Sequence, residues 1–236
     1  MQQSSPSSPM VAPAIARSGG FGSKATRRSD PVAGDAGKRA LDIAGALALV
    51  LALSPLLLLL VVMLRVTTGS VLYRHPRVGR RGRTFDCLKL RTMHVDGDRI
   101  LQDLLRDDPA ARQEWLINRK LRNDPRVTPL GRFLRSTSLD ELPQLINVLR
   151  GDMSLVGPRP VVASELEEHY GAEGTDIYCS VRPGLTGLWQ ISGRSDTSYR
   201  QRIDLDARYV RERSLALDVK ILLRTPVAVL RRDGAR

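Results

Sequence analysis

The feature that most limits how this chain can fold is the uncharged run from Ile43 to Leu64, 22 residues long. As one helix it would reach about 33 Å at 1.5 Å per residue, enough to cross a bilayer core of about 30 Å. Ser54-Pro55 falls near its middle. A proline inside a helix removes a hydrogen bond, bends the axis and costs about 3 kcal/mol. Each arm is then roughly 17 Å long, about half the core. The flanks add a second constraint. Lys38 and Arg39 precede the run, and Arg65, Arg74, Arg77, Arg80, Arg81 and Arg83 follow it. Basic flanks stay on the cytoplasmic side, so both ends prefer the same face. A re-entrant helix broken at Ser54 and Pro55 meets both constraints. A kinked spanning helix, which membranes tolerate, stays open as the alternative.

The rest of the chain divides around this segment. Residues 1–37, rich in Ser, Pro, Gly, Ala and Arg, read as a disordered basic tail. They contain no apolar stretch of their own and so are not a signal peptide. Residues 38–66 hold the membrane helix, and residues 67–236 are long enough for one domain with a real core. A formal charge of +12 calls for anionic partners: nucleic acid, an anionic membrane surface or phosphorylated substrates. Cys87 and Cys179 make no disulfide framework, and His75, His94 and His169 are too scattered for a metal site.

The chemistry concentrates between Leu134 and Pro160. Leu142, Leu145, Ile146 and Leu149 recur at i, i+3, i+4 and i+7, one face of a helix. Pro143 is tolerated only within the first turn, which favours Asp140 as the capping residue over a Ser138-x-x-Glu141 capping box. A carboxylate at a helix N-terminus is held ionised by the dipole, and an ionised aspartate can attack phosphorus. On the wheel Glu141 points about 100° away from Asp140. It suits Mg²⁺, which takes one or two carboxylates plus substrate phosphates. On these two residues alone, a plain cap and a first-turn acid are the favoured reading. Arg135 precedes the pair, and Arg159 follows between Pro158 and Pro160. Those prolines stiffen the backbone, so less entropy is lost when the guanidinium grips phosphate.

SLDELPQL, GDMSLVGPRP and VRPGLTGLWQISGR, in that order, closely resemble the bacterial sugar transferase family, the monotopic polyprenyl-phosphate glycosyl-1-phosphate transferases. The resemblance runs from about Lys38 to the C-terminus. It implies a ping-pong reaction on a UDP-sugar and polyprenyl (undecaprenyl) phosphate that starts a surface polysaccharide or glycoconjugate. Asp140 would be the nucleophile and Glu141 the Mg²⁺ ligand. The F-x-x-x-K-x-R-T-M segment implies an active-site cation at Lys89, and L-D-x-x-Y-V a functional carboxylate at Asp206. It also favours re-entry at Ser54 and Pro55, the bacterial inner membrane as the location, and a catalytic domain on its cytoplasmic side. Finally, it implies that only the catalytic module is present, without the several preceding membrane helices and extra domain of larger members.

Elsewhere the sequence says less. Val71 to Met93 reads as short strands around a Gly79-Arg80-Arg81-Gly82 turn. Asp98 to Leu121 reads as a solvated amphipathic helix interrupted at Pro109, Val161 to Tyr170 as a short helix, and GAEGTD as a loop. Val181 to Gly187 reads as a turn between extended segments. Arg182 and Arg194 are candidate diphosphate contacts that surface cations would match as well. Tyr199 to Arg213 is a helix, with Asp204–Arg208 and Arg202–Asp206 as i, i+4 pairs. Leu215 to Leu230 suits a helix lying in the membrane interface. The expected class is therefore α+β: a mostly helical single catalytic domain with short β-hairpin strands and an N-terminal re-entrant membrane helix. Two rivals differ in class. A membrane-tethered nucleic-acid binder needs aromatic platforms, but aromatics are 4% of residues, so no nucleic acid is expected. A lipid-phosphate phosphatase would release inorganic phosphate without transfer to lipid.

Overall fold

With no charge to solvate and one proline to accommodate, the apolar run folds as helix α1, Asp35–Thr68. A computed structural model describes residues 35–118, 120–193 and 198–230. The expected tail lies outside these residues up to position 34, and its last three residues belong to α1. Pro55 leaves the Leu51 carbonyl without its usual amide partner four residues on. The Ser54 hydroxyl donates to that carbonyl at 2.8 Å, so the Ser-Pro pair repairs its own break. By length and composition α1 can cross a membrane, and residues on either side of Pro55 face outward, Leu51 at 73% exposure and Leu58 at 67%.

Both ends of α1 are tied to the same domain. At the N-terminal end, the Arg39 guanidinium donates to the Val148 and Leu149 carbonyls at 2.6 and 2.9 Å. Lys38 pairs with Asp42 at 2.9 Å and Asp218 at 3.2 Å. Ala46 joins the main core with Leu145, Val148, Met153 and Leu155. At the other end, Leu60 and Leu64 pack with Leu90 and Leu134.

The expected strands form an antiparallel hairpin, β1 Leu72–Val78 and β2 Thr84–Leu90, registered from Leu72 opposite Leu90 to Val78 opposite Thr84. The intervening turn places Arg81 at a φ of 62°. Helices α2 (Gly97–Asp107) and α3 (Pro109–Asn118) replace the single interrupted helix. Asp108 accepts from the amides of Ala110 and Ala111 at 2.8 and 3.1 Å, starting α3 anew after the break. Helix α4, Pro129–Ser136, is capped by Thr128, whose hydroxyl accepts from the Gly131 amide at 2.9 Å.

The next segment departs from the expected helix cap. Ser138 is left-handed at φ 56°, Leu139–Glu141 is a single 3-10 turn, and helix α5 runs from Gln144 to Arg150 with Pro143 at its N-cap. Asp140 therefore sits before the helix rather than capping it. The proline supplies the reason. Placed at the N-cap it costs no intrahelical bond, which pushes the start of α5 downstream. Helix α5 is pinned to the hairpin by buried Asn147. Its carbonyl oxygen accepts from the Leu88 amide at 2.9 Å and its amide donates to the Asp86 carbonyl at 2.8 Å, so it acts as a partner for the free edge of β2.

Strand β3, Ser154–Val156, pairs in parallel with β4, Gly184–Thr186, placing a short strand within the expected Val181–Gly187 turn. A Cβ at Gly184 would lie 2.1 Å from the Gly157 nitrogen, so only glycine permits this crossing. After α6 (Ala163–Glu165) and a π turn, helix α7 covers Gly171–Cys179. The expected GAEGTD loop is thus helical. Packing of Tyr170 and Tyr178 in a second core cluster with Val78 and Val161 outweighs the low helix propensity of its glycines. Helix α8, Tyr199–Glu212, is closed by a Ser198–Gln201 capping box, and α9 spans Leu215–Leu230. The expected Asp204–Arg208 pair gives way to Arg208 with Glu212 at 3.0 Å, while Arg202 acts on Asp206 as expected and also meets Glu165 at 3.4 Å. The architecture is α+β, as expected.

Candidate active site

Strand alternation in β2 sends Lys89 to the hairpin face that looks onto the 3-10 turn. There its amine donates to Glu141 Oε1 at 2.8 Å and approaches Asp140 Oδ2 at 3.9 Å. The two carboxylates, expected to point apart, converge on one lysine because the 3-10 turn replaces the α-helical wheel. Arg159 closes the group, its guanidinium 3.6 Å from Glu141 Oε1. Its stiff loop is stapled on both sides: the Gly157 amide donates to the Thr186 carbonyl at 2.9 Å, and the Val78 amide donates to the Val161 carbonyl at 2.9 Å. Arg159 also lies 5.5 Å from the centre of the Trp189 ring. Arg77, Lys89, Glu141, Gln144, Arg159 and Leu185 line an open cleft, which Asp140 adjoins through its 3.9 Å approach to Lys89.

Asp140 is 8% exposed. Burial pushes its carboxyl up to about 6, helped by the negative charge of Glu141 and opposed by Lys89, Arg135 and Arg159. This corrects the expectation that a helix dipole holds it ionised, since a three-residue turn has little dipole and burial dominates. At pH 7 the acid is still about nine-tenths ionised, so a nucleophilic carboxylate is available. Arg135, in the last turn of α4, donates from Nε to Thr92 Oγ1 at 2.9 Å.

Asp206 does not join this group. It lies on α8 at 3% exposure, facing the Arg159 backbone amide and the Tyr170 hydroxyl beneath the proline loop. Burial raises its carboxyl to about 7 against the pull of Arg202 and Arg159. Arg182 points elsewhere, its Nε donating to the Gly151 carbonyl at 2.8 Å at the end of α5. Arg194 lies outside the described residues. Ser54 and Pro55 sit at mid-length in α1.

Sequence reasoning missed Arg77 and Glu165. The signal for Arg77 was present: Tyr73, His75 and Arg77 share a hairpin face with Phe85, Cys87 and Lys89. Glu165 carries no local signal, because it reaches the site only through the folding of α6 onto β1.

A domain that carries a membrane-type helix and an open cleft lined by three cations and one acid, with a second acid 3.9 Å from the same lysine, belongs to the class of membrane-associated group-transfer proteins. The family model for bacterial sugar transferases matches residues 33–232, and the chain belongs to that family. It is 52% identical over 198 residues to the UDP-galactose-lipid carrier transferase of Erwinia amylovora, covering 84% of this chain and 41% of that protein. It is 50% identical over 203 residues to the exopolysaccharide production protein ExoY of Sinorhizobium fredii, covering 86% and 89%. It is 43% identical over 212 residues to the UDP-glucose:undecaprenyl-phosphate glucose-1-phosphate transferase of Caulobacter vibrioides, covering 86% and 73%. Several relatives are longer, and the chain spans about two-fifths of the length of the Erwinia protein.

Proposed function

We propose that this protein transfers a sugar-1-phosphate from a UDP-sugar to polyprenyl phosphate, in keeping with the names its relatives carry, and so begins assembly of a surface polysaccharide or glycoconjugate. A carboxylate oxygen of Asp140 attacks the sugar-linked phosphorus, and the bond from that phosphorus to the bridging oxygen breaks as UMP leaves. Lys89 and Arg159 hold charge on the non-bridging oxygens. An oxygen of polyprenyl phosphate then attacks the same phosphorus and frees Asp140. The observation that carries this reading is one buried acid within 3.9 Å of a lysine that also binds the neighbouring acid.

Mg²⁺ fits the site in donor chemistry, because Asp140 and Glu141 are adjacent hard oxygen donors beside cations that can hold substrate phosphate. Glu141 would hold it, in competition with Lys89 and Arg159. Bound there, the ion would neutralise charge on the diphosphate oxygens.

The contacts at both ends of α1 support re-entry, because a helix anchored to one domain before and after its apolar centre returns to the side it left. The domain then sits on the cytoplasmic face of the inner membrane, with the exposed Val219, Leu223 and Val227 of α9 in the interface. Incubating the protein with polyprenyl phosphate and a panel of UDP-sugars tests the activity by UMP release. Mass analysis of the trapped SLDEL peptide tests the adduct. Normal turnover by Asp140→Asn would remove Asp140 from the mechanism. Accessibility of tags at both termini tests topology, and a C-terminal tag reached from outside the cell would end the re-entrant reading.

A further inference from the structure

The hairpin carries a second cation into the cleft. Arg77 pairs across from Phe85, and Lys89 across from Tyr73. Both side chains share a face, and four residues of β1, about 13 Å, separate their levels. The hairpin has unlike ends. At Leu72 and Leu90 it adjoins the C-terminal arm of α1, where Val71 and Leu90 pack with Leu60 and Leu64. At Val78 and Thr84 it ends in the arginine turn, away from α1. Lys89 is one residue from the α1 end and Arg77 one residue from the turn.

Arg77 is held in place. Its side chain is 16% exposed, and Nη1 lies 3.2 Å from Glu165 Oε1. Its Nη2 lies 3.3 Å from His75 Nδ1. Burial and the charges of Arg77 and Lys89 lower His75 to about 4, so the ring is neutral and Nδ1 can accept. The other oxygen of Glu165 accepts from the Tyr199 hydroxyl at 2.6 Å and from Arg202 Nη1 at 3.4 Å. One carboxylate is thus shared by two guanidiniums, with Asp206 the other acid acting on Arg202. Across the cleft lining, Arg77, Lys89 and Arg159 outnumber the one acid, Glu141, and Arg77 supplies a fixed, forked donor there.

Accepting the transfer reaction above, the two substrates must approach from opposite directions. The acceptor's tail stays in lipid, so its phosphate arrives at the α1 end, beside Lys89. The water-soluble donor extends the other way, toward Arg77. We infer that Arg77 binds the phosphate of the departing nucleotide, the donor phosphate that is not attacked, and that Glu165 and His75 are its positioning residues.

The test uses the full chain in detergent or nanodiscs, comparing Arg77→Gln, Arg77→Lys and Glu165→Gln with the parent. Expected for Arg77→Gln is a donor KM raised roughly tenfold and product inhibition by UMP weakened by the same factor, the scale of one charge-assisted contact. The KM for polyprenyl phosphate stays unchanged. Arg77→Lys recovers part of the loss, and Glu165→Gln moves donor KM and UMP inhibition in the same direction as Arg77→Gln. A raised acceptor KM instead would overturn the assignment. So would a fall in kcat and thermal stability with UMP inhibition intact, which marks a purely structural ion pair. If Arg77→Gln does not fold, Arg77→Lys is read by the same UMP inhibition. If the parent releases no UMP from any UDP-sugar, the transferase reading fails by itself. Calorimetric binding of UMP to the parent and to Arg77→Lys then still decides the role of Arg77, with equal affinities refuting it.

Discussion

Replacing Asp140 with asparagine should abolish transfer and stabilise the fold, with a gain that depends on pH. Burial lifts the folded-state carboxyl from 3.8 to about 6. That shift of about 2 units, at 1.36 kcal/mol each, puts a penalty of about 3 kcal/mol on the folded state once the acid ionises. The opposing pull of Lys89 is already contained in the shifted value, so its loss needs no separate allowance. The sign follows from proton binding. Between pH 4 and 6 the folded chain binds more protons than the unfolded one, so stability falls as pH rises through that window. Below about pH 4 the penalty is absent, above about pH 6 it is complete, and at pH 5 it is roughly half. Asparagine carries no charge at any of these values. In a thermal melt in detergent, Asp140→Asn should melt on the order of 5 to 10 °C higher at pH 8 and about half as much higher at pH 5. Equal or lower stability at pH 8 would refute the reasoning, and so would a gain that ignores pH.

Other expectations test neighbouring parts of the structure. The UMP burst should fall about tenfold per pH unit below pH 6, because only ionised Asp140 attacks. Glu141→Gln removes a like charge that raises the Asp140 pKa, so the midpoint of any residual burst should move to lower pH. A rapid-quench profile that is flat from pH 5 to 7 would contradict both statements. Asn147→Leu strands the Leu88 amide and the Asp86 carbonyl, costing on the order of 2 to 5 kcal/mol. Because it also frees the strand that carries Lys89, a melt and the donor KM should both worsen, and a change in neither would count against the pinning role. Ser54→Ala leaves the Leu51 carbonyl unrepaired in apolar surroundings, at about 1 to 2 kcal/mol. Loss of helix signal and faster proteolysis in nanodiscs should follow, whereas unchanged behaviour would mean that water or lipid headgroups reach that carbonyl.

What could be read from the chain was whatever depends on neighbours in sequence. The apolar run, its Ser-Pro interruption and its basic flanks describe α1 almost completely. The short-strand pattern around the Gly79–Gly82 turn gave the hairpin, and the i, i+3, i+4 apolar residues gave α5. The first errors came where packing overruled propensity. Gly171 and Gly174 argue for a loop, but burying Tyr170 and Tyr178 against Val78 and Val161 turns the segment into α7. Pro143 was rightly placed at a helix start, yet its effect was to move the helix beyond Asp140 rather than to let Asp140 cap it.

The site itself depends on distances the local pattern cannot carry. Lys89 and Glu141 meet across 52 residues, and Arg77 and Glu165 across 88. Periodicity assigns a face to each side chain but does not say which faces meet. For Lys89, Asp140 and Glu141, likeness to a known family bridged that gap, and Arg159 followed from its two flanking prolines. Arg77 shows what the likeness left out. Its face followed from strand alternation once a register was assumed, but its use required knowing that one hairpin end adjoins an apolar helix and the other does not. That polarity belongs to the assembled fold. It is also why the direction in which Asp140 is shifted was misjudged from sequence: a dipole acts along the local chain, whereas desolvation is imposed by everything packed around the carboxylate, and here desolvation is the larger effect.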